Sequence, residues 1–82
     1  MDPVLAQLAW RVVISDMICI CFAATKSKAQ WLATKSYWEA YGRTGQWPRA
    51  VANRAERYDK SFLRLQPNQK AWSEEYVRGY EA

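Results

Sequence analysis

The chain predicts an all-α fold, a small bundle of three to four helices with a long apolar first helix. Three observations carry that prediction. Residues 4–24 are apolar apart from Gln7, Arg11, Ser15 and Asp16. Val51, Ala55, Tyr58, Phe62 and Leu65 recur at 4-3-4-3 spacing, the signature of one helical face. Helix start and stop residues punctuate the chain at helix-length intervals.

Asp2 followed by Pro3 reads as an N-cap and a first helical residue. In the helix that follows, Gln7, Arg11 and Ser15 recur every four residues and mark a narrow polar stripe, with Asp16 on the other side. The segment "RVVISDMICICF" is β-branched enough for a strand. No segment after residue 25 alternates like a partner strand, and an unpaired strand leaves its backbone groups unsatisfied. A helix is therefore expected. Ser27-Lys28-Ala29-Gln30 fits a capping box, opening a second helix over Lys28 to Tyr41, either separate from the first or continuous with it. Gly42 fits a left-handed C-terminal stop, and "GRTGQWP" is the clearest loop. Pro48 opens a third helix to about Leu65, which Pro67 ends. Asn68 caps a last short helix through Trp72, Tyr76 and Tyr80, frayed at Gly79.

With 82 residues the chain is one domain, 1–82, without repeats or low-complexity segments. So short a chain buries only roughly 60–65% of the surface its unfolded form exposes, so stability is marginal unless something adds to it. Its twelve aromatic side chains bring large area per residue. Cys19 and Cys21, one residue apart, would point about 200° apart on a helix and do not bridge each other. They read as small buried apolar groups in a reducing compartment. A membrane span over residues 4–24 would place Arg11 and Asp16 near the bilayer centre, at about 2.5–3.5 kcal/mol each. The first charge is Asp2, unlike a secretory signal, and no lipidation motif is present. A cytoplasmic protein with no membrane association is expected.

Chemistry is poorly supplied. There is no histidine, the commonest general base near neutral pH. Two cysteines alone make no zinc site, and Gly42 and Gly45 do not form a phosphate loop. The acidic residues show no metal-binding or acid–base pairing. Asp16 reads as the partner of an arginine rather than a catalytic carboxylate. The chain is expected to be no enzyme and to hold no cofactor or metal.

Charge is more informative. Residues 26–64 hold nine Lys/Arg against Glu39, Glu56 and Asp59, net +6, whereas 1–25 and 65–82 are each net −1. Lys28, Trp31, Lys35 and Trp38 follow at 3-4-3 spacing and share one side of the second helix. Cations among indoles suit protein interfaces, where Trp and Arg are typical anchors, and equally suit bases and phosphates. The alternative is that Trp31 and Trp38 pack inward beneath lysine stems. Trp47, between glycines and a proline and flanked by Arg43 and Arg49, is either a presented anchor or a staple folded onto Val51 or Ala52. On the third helix Arg49, Arg57, Lys60 and Arg64 lie opposite the apolar stripe, a solvated face or a nucleic-acid footprint.

The terminal stretch "AWSEEYVRGYEA" resembles the Trp-then-Gly-Tyr pattern of ribosome modulation factors and related small phage proteins, over about a dozen residues. That resemblance implies ribosome association. In type, the compact, aromatic-rich, histidine-free chain is similar to the accessory proteins that phages and plasmids use against host machinery, anti-CRISPR proteins among them.

The expected function is therefore binding to, and inhibition or modulation of, another protein through Lys28, Trp31, Lys35, Trp38, Arg43, Trp47 and Arg49. The alternatives are a nucleic-acid- or ribosome-associated binder using Arg49, Arg57, Lys60 and Arg64, and a structural homo-oligomer, such as a homodimer closed through residues 4–24.

Overall fold

A computed structural model describes residues 7–43, 45–66 and 69–80. The apolar run that reads as one helix is two strands. β1 (Leu8–Ile14) and β2 (Met17–Ala23) form an antiparallel hairpin in which Ile14 pairs Met17 and Leu8 pairs Ala23. Only Ser15 and Asp16 connect them, and Ser15 takes φ 55°. A two-residue hairpin turn requires a positive φ at that position, which any L-residue other than glycine adopts at about 1–2 kcal/mol. Ser15→Gly is therefore expected to stabilise the protein by about 1 kcal/mol, read as a rise of several degrees in Tm. A fall in Tm would show the turn to be held otherwise.

After β2 the chain turns into α1 (Lys26–Tyr41) and returns as β3 (Ala50–Arg54), antiparallel to β1. Short 3-10 helices at Glu56–Tyr58 and Phe62–Leu65 follow, then β4 (Trp72–Ser73) beside β2, then α2 (Glu74–Arg78). The sheet order is β3-β1-β2-β4. Residues on one face, Val12, Ile14, Cys19, Cys21, Ala23 and Ala52, pack under Ala29, Leu32 and Ala33 of α1. Those on the other, Ala9, Ile20 and Phe22, pack with Ala55, Tyr58, Leu63 and Val77 from the 3-10 segments and α2.

This mixed architecture corrects the predicted all-α bundle at four points. The long first helix is the β1–β2 hairpin. The strand reading fails in the sequence for want of a later partner, yet the partner lies inside the same apolar run. β2 is covered on both faces, so its residues are apolar without alternation, and a Ser-Asp turn carries no glycine, asparagine or proline to announce it. The third helix, Pro48 to Leu65, is replaced by β3 and two 3-10 turns. Its stripe divides accordingly, with Ala55 and Tyr58 buried but Val51, Phe62 and Leu65 exposed. The last helix shortens to α2, capped by Ser73, whose hydroxyl accepts from the Tyr76 amide at 3.2 Å. The second helix starts at Lys26 rather than Lys28, because Thr25 is its N-cap, accepting from the Lys28 amide at 3.2 Å. The Asp2-Pro3 start, the Pro67 stop and the Asn68 cap lie outside the described residues.

On a strand Cys19 and Cys21 share a face instead of diverging. Both are free and buried against α1, and the Cys19 thiol donates to the Val12 carbonyl at 3.5 Å. A hydrogen bond with Cys19, reinforced by burial, raises the Cys21 pKa. The same hydrogen bond lowers the Cys19 pKa, so it is burial of both side chains that keeps a reagent out, and both thiols are expected to react with an aromatic disulfide reagent roughly 10²-fold or more slowly than in the denatured chain. Prompt reaction under native conditions would contradict this packing.

Candidate interaction surface

The inner stripe of α1 is Ala29, Leu32 and Ala33, with Tyr37 packed at its edge. By the 3.6-residue period Trp31, Lys35 and Trp38 stand on the side away from the sheet. Gly42 ends the helix at φ 83°, its amide donating to the Trp38 carbonyl at 2.7 Å. Glycine reaches that backbone conformation without strain, and it reverses the chain so that the loop before β3 runs back along the helix. Trp47 thereby lies against α1, with its ring centroid 4.8 Å from that of Trp38 and 6.2 Å from that of Trp31. Trp31 and Trp38 meet edge-on at 5.9 Å, and the Arg43 guanidinium sits 4.6 Å over the Trp38 ring.

The three indoles therefore form one cluster outside both cores. Trp31 is 43% and Trp47 65% exposed, while Trp38, at the centre, is half-buried. The Trp38 indole N–H is buried and has no acceptor among the described residues. Trp47 is not the staple foreseen as one alternative, because no helix starts at Pro48. It is a ridge between two grooves. One, about 360 Å³, has Tyr37, Tyr41, Pro48, Arg49 and Ser15 in its walls. The other, about 310 Å³, lies towards Trp31, Gln30 and Ala50.

Charge divides between the two sides of the sheet. On the side away from α1, Arg11 and Arg78 pair with Glu74; at the β3 edge Arg54, which lies over the Trp10 ring at 5.5 Å, pairs with Asp59. Asp59 also accepts from the Ala9 amide at 2.8 Å, tying the first 3-10 turn to β1. Tyr58 is 1% exposed and donates its hydroxyl to Glu74 at 2.7 Å. Hydrogen bonds from Arg11 and then Tyr58 lower the Glu74 carboxyl to about 2. On the α1 side Lys28, Lys35, Arg43 and Arg49 are exposed and make no ion pair among the described residues. Asp16, read as an arginine's partner, is instead exposed in the hairpin turn.

The structure thus brings Trp31, Trp38, Arg43 and Trp47 together, with Lys28 and Lys35 on the same helix and Arg49 in the adjoining groove. It separates the four cations of the nucleic-acid alternative. Arg49 precedes β3 and Arg57 follows it, so the strand lies between them. The Arg64 guanidinium is bound internally, donating to the Lys60 and Ser61 carbonyls at 2.9 Å each. Arg57 and Lys60 line a different groove with Phe62 and Tyr80.

Sequence reasoning missed Tyr37 and Tyr41, whose rings meet at 4.9 Å beside the Trp47 ridge. Their i, i+4 spacing just before Gly42 was the available signal. It also missed the stack of Trp72 on Tyr76, 5.3 Å apart and 4° from parallel. No group of three or more metal-ligating side chains occurs among the described residues. No helix among them is long and apolar enough to cross a membrane.

Fold and surface define a small mixed α/β module: a four-stranded antiparallel sheet with one long helix that carries an exposed aromatic and cationic face. No family model, no curated protein and no solved structure matches the chain.

Proposed function

We propose that this protein is a non-enzymatic binding module that engages an acidic surface on another protein through the outer face of α1 and the 42–49 loop, and so blocks or modulates that partner. A phage- or plasmid-type factor acting on host machinery is the setting this reading favours. The observation that carries it is the cluster of Trp31, Trp38 and Trp47 outside the core, ringed by cations that make no ion pair among the described residues. Interface hot spots are enriched in Trp, Tyr and Arg. Cations with no partner on their own chain attract and orient an acidic one.

A protein partner fits the face better than nucleic acid does. Stacking on bases needs an open ring face, and the Trp38 ring has Arg43 over it and Trp47 against its edge. The test is capture of one partner from nuclease-treated lysate by the wild-type chain and by a Trp31→Ala/Trp47→Ala chain. Retention by the wild type and loss by the variant, with both folded, supports the reading. Equal retention by both, or loss of all partner on nuclease treatment, overturns it.

A further inference from the structure

We infer that the groove between the Tyr37–Tyr41 ridge and Trp47 takes a proline-rich, extended segment of the partner, with an acidic residue of that segment set against Arg49. This rests on the reading of the α1 face as a protein-binding surface and names the chemistry of what it binds.

The walls of the groove argue for it. Tyr37 and Tyr41 stand one turn apart with rings tilted 42° at 4.9 Å, and Trp47 and Pro48 form the opposite side. Tyr41 is 68% and Trp47 65% exposed, so two aromatic side chains are left open beside one trough. Polyproline II segments dock in aromatic-lined grooves because their extended shape is already formed, so little ordering entropy is lost on binding.

The polar groups match in kind. Consecutive prolines lack N–H donors and offer only carbonyl acceptors. Around the groove stand donors: the phenol hydroxyls of Tyr37 and Tyr41, the indole N–H of Trp47 and the guanidinium of Arg49. No carboxylate lines it. Asp16 lies in a separate recess of about 90 Å³ that it shares with Met17, Tyr37 and Tyr41. An acidic residue on the segment is drawn to Arg49, which stands at the hairpin end of the sheet, one residue before the Ala50 that pairs with Ile14.

Other occupants fit less well. The chain's own prolines, Pro3, Pro48 and Pro67, are isolated, so a second copy supplies no proline-rich segment. Tilted tyrosines in contact with each other give no parallel platform for successive bases.

The experiment titrates the intact protein with a short synthetic peptide of consecutive prolines ending in two aspartates, followed by two-dimensional NMR. Two comparison peptides are used: one with alanines for the prolines, and one ending in two glutamines. The expected result is shifts of the Trp47 indole and the Tyr41 and Arg49 amides with the proline peptides and none with the alanine peptide. Tyr41→Ala weakens binding about tenfold or more, while Ile18→Thr on the far face of the sheet leaves it unchanged. Arg49→Glu weakens the aspartate peptide about tenfold and the glutamine peptide hardly at all. Absence of shifts, equal binding of the alanine peptide, or response only to a single-stranded oligonucleotide overturns the groove assignment. If the peptide fails while partner capture still depends on Trp31 and Trp47, the groove inference falls alone. If capture loses that dependence, the binding surface itself has been misplaced.

Discussion

The chain carrying both Trp31→Ala and Trp47→Ala is expected to stay folded and to hold its partner about 10²-fold or more weakly. Truncating an anchoring indole in an interface centre typically removes 2–4 kcal/mol of binding, and about 1.4 kcal/mol is a factor of ten. Against the fold itself the loss is smaller. Trp31 and Trp47 are 43% and 65% exposed and belong to neither core cluster. What they lose is mainly mutual ring contact and contact with Trp38, about 0.5–1.5 kcal/mol per aromatic pair. That lowers Tm by roughly 4–8 °C per kcal/mol in a domain of this size. Phe22, wholly buried between the sheet and its lower cover, is the contrast, since phenylalanine to alanine in a core removes about 3–5 kcal/mol. A double variant that unfolds like Phe22→Ala would show the indoles to be core. The two effects are not expected to add, because both rings contact Trp38.

Acid should loosen the other face of the sheet. Glu74 opens α2 and accepts from Arg11 on β1 and from the buried hydroxyl of Tyr58, so one carboxylate joins the hairpin, the first 3-10 turn and the C-terminal helix. Those bonds lower its pKa from 4.5 to about 2. The unfolded chain therefore takes up the proton first as pH falls. The stabilisation is complete above about pH 4.5 and disappears as pH drops through about 2. Because the Arg11 side chain is 40% exposed, solvent screens the pair, and the contribution is about 1–3 kcal/mol rather than the full equivalent of the shift. Glu74→Gln should cost about that much at pH 7. Its Tm should also decline less than the wild type's between pH 4.5 and 2. Parallel acid curves for the two proteins would show that Glu74 is not the coupling group.

α1 was legible because its signals are local: the Ser27-Lys28-Ala29-Gln30 capping-box pattern, two residues inside the true start, the shared side of Lys28, Trp31, Lys35 and Trp38, and Gly42 as the stop. The hairpin was not, because its evidence is relational. Met17 to Ala23 alternates in neither sense, since Ile20 and Phe22 face one core and Cys19 and Cys21 the other. A strand buried on both sides looks like a helix apolar on every side until its partner is known. Residues 50–65 misled in the opposite direction. Their 4-3-4-3 pattern is helical, yet the pairing of Val12 with Ala52 and Val13 with Val51 outweighs it. Tertiary pairing overrides a pattern that is local and only amphipathic.

The candidate surface divides in the same way. The shared side of Lys28, Trp31, Lys35 and Trp38 follows from helix periodicity. Arrival of Trp47 and Arg43 at that side required the loop to fold back from Gly42, a contact between residues distant along the chain.

The amino-acid sequence by itself determined where the cations and indoles concentrate, that α1 forms and where it stops, and that histidine chemistry is absent. Charge, composition and helical spacing are properties of short stretches and need no partner to be read. Only the tertiary structure decided that the first apolar run is two strands, that the three indoles meet outside the core, and that Tyr37, Tyr41 and Trp47 enclose a groove. Strand pairing and side-chain clustering are contacts between distant residues, and one dimension of sequence does not record which distant residues meet.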